Sequence, residues 1–270
     1  MYALDFQYDG KFLSNYNCII CDFDWSGGAA VAQVGASVTF NRASRNYGKI
    51  WSLTGIAYDE CFETSFDICK DPKKDDSKYF TNFEFLNLVR WLHRTDGFHP
   101  FTFMAIDLDI PNAYYNASFN VEKILVQDRI VGIRLYMITD SPYGYGKQED
   151  IQISSVGLKY KYYEVEDKSG IVGEICPNLT IKCNADGDLE IRNETNGTSF
   201  KIKDCTTGEI ITVDSSTLMI QSSTGRNLWD DFNFKYLKLS NTLDTRKNKI
   251  YISLASDVTI SYTPVVLCGY

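Results

Sequence analysis

The stretch "CIICDFDWSGG", residues 18 to 28, sets Cys18 and Cys21 three positions apart with Asp22 and Asp24 close behind. Paired cysteines can hold zinc or cycle between thiol and disulfide, so they are the first candidates for chemistry. A structural zinc site needs two such pairs on tight turns, so that four thiolates converge tetrahedrally. Here "NCIICDF" reads as strand, and side chains three apart on a straight strand point to opposite faces. Cys18 and Cys21 therefore diverge. Cys61 and Cys69 read as sharing one face of a single strand, eight residues apart, too far to bind one ion without a bend. A thioredoxin-like pair would open a helix, and none follows here. The cysteines read as small buried packing residues, with no metal and no cofactor expected.

The other chemistry-bearing residues are equally isolated. The two histidines, His93 and His99, fall in a helix and in a loop before Pro100, outside HExxH and outside any nucleophile elbow. Asp22 with Asp24, and Asp107 with Asp109, each project from one strand face, and paired acids can hold a cation or hydrolyse a glycoside. Solvated strand residues or turn caps account for them more simply. "YGYGKQE" fails the dinucleotide fingerprint because Glu149 stands where the third glycine belongs, and no Walker lysine loop occurs. No catalytic residue is assigned, and the sequence reads against an enzyme.

One segment combines cations with aromatics: "FNRASRNYGKIWSLTG" holds Arg42, Arg45, Tyr47, Lys49 and Trp51. That mixture stacks on single-stranded nucleic acid or anchors protein–protein contacts. The formal charge is −8, which disfavours a general grip on nucleic acid or anionic membrane. These five residues are therefore read as a subunit or partner interface, weighed against an ordinary solvated strand face.

The elements that must position these residues are mostly strands. Hydrophobic residues make up 44 % of the 270-residue chain and aromatics 14 %, enough for a packed core rich in strands. No secretory leader and no bilayer-length apolar run is visible, and eight cysteines without a leader point to reduced thiols in a cytosol. The sequons at Asn116, Asn178, Asn193 and Asn196 then read as chance. "ALDFQYDGKF" carries an Asp9-Gly10 hairpin turn. Val34, Ala36, Val38 and Phe40 alternate, as do Phe62, Phe66 and Ile68 against Glu63, Ser65 and Asp67, and Ile133, Leu135 and Met137 share one strand face. "TNFEFLNLVRWLHRTDG" breaks the pattern. Thr81 and Glu84 have capping-box spacing, Phe85, Leu88, Val89 and Leu92 form a helical stripe, and Gly97 fits as C-cap.

From about residue 151 the texture becomes short alternating strands. Leu179 with Ile181, Leu189 with Ile191, and Phe200 with Ile202 are separated by Asp186-Gly187 and Asn196-Gly197, as in an antiparallel meander of a β-sandwich. The reading is an α+β domain over 1–148, mostly antiparallel β with one helix, and an all-β sandwich over 149–270 whose last strand returns to the first domain.

The blocks "NYNCIICDFDW", "RNYGKIWSLTGIAYDECFETSFDICKDP", "YMITDSPYGYG" and "NLWDDFNFKYLKLSNTLDTRKNKIYI" follow in an order that resembles the distal tail proteins (Dit) of long-tailed bacteriophages and prophages, as does the closing "TISYTPVVLCGY". The resemblance implies an N-terminal ring-forming domain that clasps its neighbour through an extended hairpin, and a galectin-like C-terminal sandwich. It further implies a homo-hexameric ring with a channel for DNA ejection, at the tail tip of a virion made in the bacterial cytoplasm. The implied partners are the tail tube protein, a tail-associated lysin or fibre, and receptor-binding proteins, without sequence-specific nucleic acid or membrane. The family has no catalytic residues to carry over. Two rivals stand beside it. One is a glycan-binding adhesion module, for which Trp229 is the lone tryptophan of the sandwich half; the other is a metal-dependent hydrolase on Asp107 and Asp109.

Overall fold

The first strands follow from the Asp9-Gly10 turn. Strand β1 (Ala3–Tyr8) folds back onto β2 (Lys11–Phe12), with Gln7 opposite Phe12 and Tyr8 opposite Lys11. Asp9 has φ 48 and Gly10 φ 75, the left-handed pair that a two-residue hairpin requires. The structure, a computed structural model, describes residues 3–23, 38–45, 50–58, 61–105, 113–157 and 161–266. These fall into two units, one built from residues up to Tyr145 and the other from Gly146–Val266.

In the first unit the remaining strands are β3 (Cys18–Cys21), β4 (Val38–Arg45), β5 (Ile50–Tyr58), β6 (Glu63–Lys70), β7 (His99–Ala105), β8 (Tyr115–Val126), β9 (Arg129–Thr139) and the two-residue β10 (Gly144–Tyr145). With β1 and β2, five of these form one seven-stranded antiparallel sheet in the order β2-β1-β7-β8-β9-β6-β3. Period-two alternation sets its inner face: Ile133, Leu135 and Met137 are buried, as are Phe66 and Ile68. Phe62 is buried too, but just ahead of β6, and with it Cys61 falls outside the strand that was expected to carry both Cys61 and Cys69.

The helix α1 (Asn82–Leu92) lies where the capping-box spacing puts it. Thr81 Oγ1 accepts from the Glu84 N–H at 3.2 Å, and Glu84 Oε2 accepts from the Thr81 N–H at 2.7 Å. Its C-cap is His93 rather than Gly97: His93 Nδ1 pairs with the Phe119 carbonyl at 2.9 Å, and the backbone leaves the helix there. The buried stripe is Phe85, Leu88, Trp91 and Leu92, with Trp91 taking the place expected of Val89. Trp91 stacks on Tyr16 with ring centroids 4.6 Å apart and on Phe6 at 5.7 Å, and its Nε1–H donates to the Tyr8 carbonyl at 3.2 Å. Phe6, Phe66, Phe101, Phe103 and Phe119 complete an aromatic core whose rings meet largely edge to face.

The second unit holds β11 (Glu149–Val156), β12 (Tyr162–Glu166), β13 (Gly173–Ile175), β14 (Asn178–Cys183), β15 (Gly187–Asn193), β16 (Thr198–Cys205), β17 (Ile210–Asp214), β18 (Met219–Ser222), β19 (Leu239–Asn241), β20 (Lys247–Ile252), β21 (Ala255–Tyr262) and β22 (Val265–Val266). It is a β-sandwich. One sheet runs β11-β21-β14-β17-β18, the other β12-β20-β15-β16, and β13 pairs with β19 alongside. Leu179, Ile181, Leu189, Ile191, Phe200 and Ile202 all point into one shared core, as their alternation predicts. The expected meander is corrected in one respect. Asn196-Gly197 closes the β15–β16 hairpin, whereas Asp186-Gly187 carries the chain from one sheet to the other, because β14 pairs with β17 and β21. Asn193 is fully buried, donating to Asn248 Oδ1 at 2.7 Å, a place that excludes a glycan.

Candidate functional site

The interface candidates lie on a separate two-stranded ribbon. Strand β4 pairs with β5 in antiparallel register, Arg42 opposite Leu53, Ser44 opposite Trp51 and Arg45 opposite Ile50, with a bulge between Asn41 and Arg42. Arg42, Arg45 and Trp51 are thus brought onto one hairpin; Tyr47 and Lys49 lie outside the described residues, as do the side chains of Arg45 and Trp51. Positions 38 to 44 of β4 are exposed, including Arg42, Phe40 and Val38. A two-stranded ribbon standing alone in water is marginally stable. Among the described residues the ribbon pairs with no further strand, and Phe40 and Val38 on it are exposed.

The cysteines resolve differently from a metal centre. Cys18 is buried while Cys21 lies on the opposite parity of β3. Burial pushes the Cys18 thiol up to about 12. Register sets Cys69 opposite Ile19 and Asp67 opposite Cys21, so Cys21 and Cys69 are diagonal neighbours. Cys21 hydrogen-bonds to Cys69, which raises Cys21 and lowers Cys69. The sandwich has a second such pair: the hydrogen bond between Cys205 and Cys183 raises the former and lowers the latter. Cys18–Cys21 spacing gave no sign of either pair, because both join strands distant in sequence. Among the described residues no three His, Cys, Asp or Glu side chains are placed to hold a metal ion.

The remaining candidates are structural or undescribed. His99 opens β7, against the loop expected for it; its Nε2 lies 3.0 Å from Asp96 Oδ1 and its ring meets Tyr8 edge-on. Asp24, Asp107 and Asp109 lie outside the described residues. Asp67 was expected on a solvated face, yet it is buried: Arg134 Nε and Nη2 reach its two oxygens at 2.8 and 2.9 Å. This bidentate fork satisfies a carboxylate in the sheet, the arrangement under which a buried acid is tolerated. In the sandwich, Glu209 is likewise buried, accepting from Arg226 Nε at 2.8 Å and from the Thr206 N–H at 3.0 Å. Trp229 is 70 % exposed, beside Phe234 at 5.6 Å. Among the described residues no helix is long and apolar enough to cross a membrane.

An antiparallel sheet with one covering helix, followed by a β-sandwich, defines the two-domain distal-tail-protein class of fold. Over 96 % of this chain and 98 % of the other, the structure superposes on the crystal structure of Dit from phage SPP1 with a TM-score of 0.67 at 13 % identity. That protein is described as a paradigm of the hub adsorption apparatus in phages infecting Gram-positive bacteria. Two family models tile the sequence in order: the DUF6558 phage tail protein N-terminal domain matches residues 1–141, and the phage tail C-terminal domain matches residues 143–262. The chain belongs to this family of phage tail proteins. No curated protein matches the sequence.

Proposed function

We propose that this protein is the structural hub at the distal end of a phage tail, where it joins the tail tube to the proteins of the tail tip. The observation that carries the reading is the conjunction of two phage-tail family matches in order with a full-length Dit fold. In this reading residues 1–148 form a homo-hexameric ring around a channel for DNA, and the sandwich of residues 149–270 faces outward. A closed ring leaves no unsatisfied head-to-tail interface, so assembly stops at a defined size. The β4–β5 ribbon supplies the contact: its exposed Phe40 and Val38 would be covered by the neighbouring subunit, with Arg42, Arg45, Tyr47, Lys49 and Trp51 around them. A formal charge of −8 suits a lining that lets DNA pass without strong attraction. The partners on the two ring faces are the tail tube protein and a tail-associated lysin or fibre, with receptor-binding proteins at the periphery. Nothing in this role requires catalysis.

Negative-stain electron microscopy and native mass spectrometry of the purified full chain test the proposal. The expected result is six-fold rings with a central hole. Particles that stay monomeric in the presence of the cognate tail tube protein would overturn it.

A further inference from the structure

Strand β3 ends the seven-stranded sheet, and among the described residues it pairs only with β6. The chain leaves this sheet at Cys21, forms the β4–β5 ribbon, and re-enters the sheet at β6. The two strands that bracket the ribbon in the chain are thus paired to each other at its root. Just past Cys21 the Phe23 N–H donates to Asp67 Oδ2 at 3.3 Å, a long bond that ties the outgoing segment to β6.

Each of these strands carries a thiol at that root. Cys21 lies opposite Asp67 and Cys69 opposite Ile19, so both side chains share the sheet face that holds the Asp67–Arg134 fork. Both cysteines are half-buried, and the Cys21 thiol donates a hydrogen bond to the Cys69 sulfur, which favours the thiolate of Cys69. Thiolate character, partial exposure and a second thiol in contact are together the setting in which cysteines oxidise to a disulfide. The sandwich supplies the contrast. Cys183 and Cys205 are hydrogen-bonded in the same way, but they are 0 % and 1 % exposed. Access, not contact, separates the two pairs. Diagonal Cα atoms lie roughly 7–8 Å apart, against a disulfide span of about 4.4–6.8 Å, so closure draws β3 toward β6 by about 1 Å. An edge strand paired on one side has room for that shift.

We propose that Cys21 and Cys69 form a dithiol oxidation site, which a hydroperoxide converts to a disulfide that staples β3 to β6 at the root of the ribbon. The Cys69 thiolate attacks the O–O bond of hydrogen peroxide. An S–O bond forms, the O–O bond breaks, and hydroxide leaves and takes up a proton to give water. Cys21, losing its own proton, then attacks the sulfenic sulfur; the S–S bond forms, the S–O bond breaks, and a second water leaves. The two thiols give up two electrons and two protons, and one peroxide is reduced to two waters. The site stands on the strands of the first unit and does not require the ring. Under the tail-hub reading, the oxidant is met when the particle leaves a reducing cytoplasm.

The test treats the reduced full chain with hydrogen peroxide in native buffer, quenches it, caps the remaining thiols with N-ethylmaleimide in urea, and maps the peptides without reduction. The expected product is a cross-linked peptide joining Cys21 to Cys69, lost on adding dithiothreitol, with Cys183 and Cys205 recovered as capped thiols. Oxidation should raise the thermal melt of the first unit by about 5–15 °C, and Cys21→Ser should abolish that rise. Cys21→Ser also leaves Cys69 without its partner, so Cys69 should stop at the sulfenic acid and be labelled by dimedone. Cys69→Ser should leave Cys21 unlabelled. Recovery of Cys21 and Cys69 as capped thiols, under peroxide that oxidises free glutathione, would overturn the proposal. So would a cross-link from Cys69 to Cys18 or Cys61, or one that appears only when the chain is oxidised in urea. Equally rapid closure of Cys183 to Cys205 would overturn it too, because access would then not select the site.

Discussion

Lys70 Nζ lies 2.8 Å from Glu84 Oε1, so the last residue of β6 is tied to the first turn of α1. The same ammonium meets Asp75 Oδ2 at 2.8 Å while its side chain is only 7 % exposed. Burial alone would lower the Lys70 pKa, but the two carboxylates outweigh it and raise it. Burial likewise opposes ionisation of Glu84, and hydrogen bonds from Lys70 and Thr81 outweigh it and hold the carboxyl below its ordinary value. Glu84 serves strand and helix cap together.

That junction predicts an acid limb in stability. A carboxylate whose pKa is depressed by folding stabilises above its unfolded pKa, about 4.3 for Glu, and loses that contribution as pH falls through the folded value. Lys70, raised by folding, stabilises below its unfolded pKa of about 10.4 and loses this as pH rises through its folded value. Urea unfolding of Lys70→Met as a function of pH should show a shallower acid limb than the parent. Thr81→Ala, which removes the cap, should cost about 1 kcal/mol at neutral pH.

Trp91 is the anchor of the helix on the sheet. Trp91→Ala removes its stacking on Tyr16 and Phe6 and orphans the buried Tyr8 carbonyl that its indole N–H satisfies. The expected loss is about 3–5 kcal/mol, read as a lower urea midpoint for the first unit. Val89→Ala on the same helix should cost less than half as much, because Val89 is only half-buried.

Two buried carboxylates should respond to neutralisation. Glu209→Gln keeps the shape but removes the buried charge facing Arg226, which keeps only its pairing with Asp231, and a loss of about 2–3 kcal/mol is expected by chemical denaturation. Burial raises the Glu209 pKa, but the hydrogen bonds from Arg226, Ser222 and Thr206 outweigh it and hold the carboxyl below its ordinary value, so its contribution is lost as pH falls through that lowered value. The pH slope should therefore be smaller in Glu209→Gln. Asp67→Asn, which breaks the fork with Arg134, should behave alike in stability.

Thiol reactivity separates packing from chemistry. At pH 8 the native protein should leave Cys18 unmodified by a soluble disulfide reagent, since its pKa is pushed up to about 12 by burial. All eight cysteines should react after unfolding. Elemental analysis should find no stoichiometric zinc; one ion per chain would contradict the packing role of Cys18 and Cys21.

The ribbon carries the assembly prediction. The double substitution Arg45→Ala with Trp51→Ala should reduce the ring fraction by light scattering while the thermal melt of the sandwich is unchanged. Unchanged assembly would remove these residues from the interface.

Local pattern in the sequence determined a good deal. Ile133, Leu135 and Met137 announced a buried strand face, Thr81 and Glu84 a capped helix start, and Asp9-Gly10 a hairpin, because each depends on residues within one or two turns of chain. The change of texture near residue 150 separated the helix-bearing half from the sandwich, and the ordered blocks pointed to the tail-protein family. Only the tertiary structure decided what joins distant strands. It made Asp186-Gly187 a crossing between sheets and Asn196-Gly197 a hairpin, although the two turns look alike. It also buried Asp67 under Arg134 and brought Cys21 to Cys69. Pairing of that kind is set by which sheet edge and which core face remain available once the chain has collapsed, and a local window of residues carries no record of either.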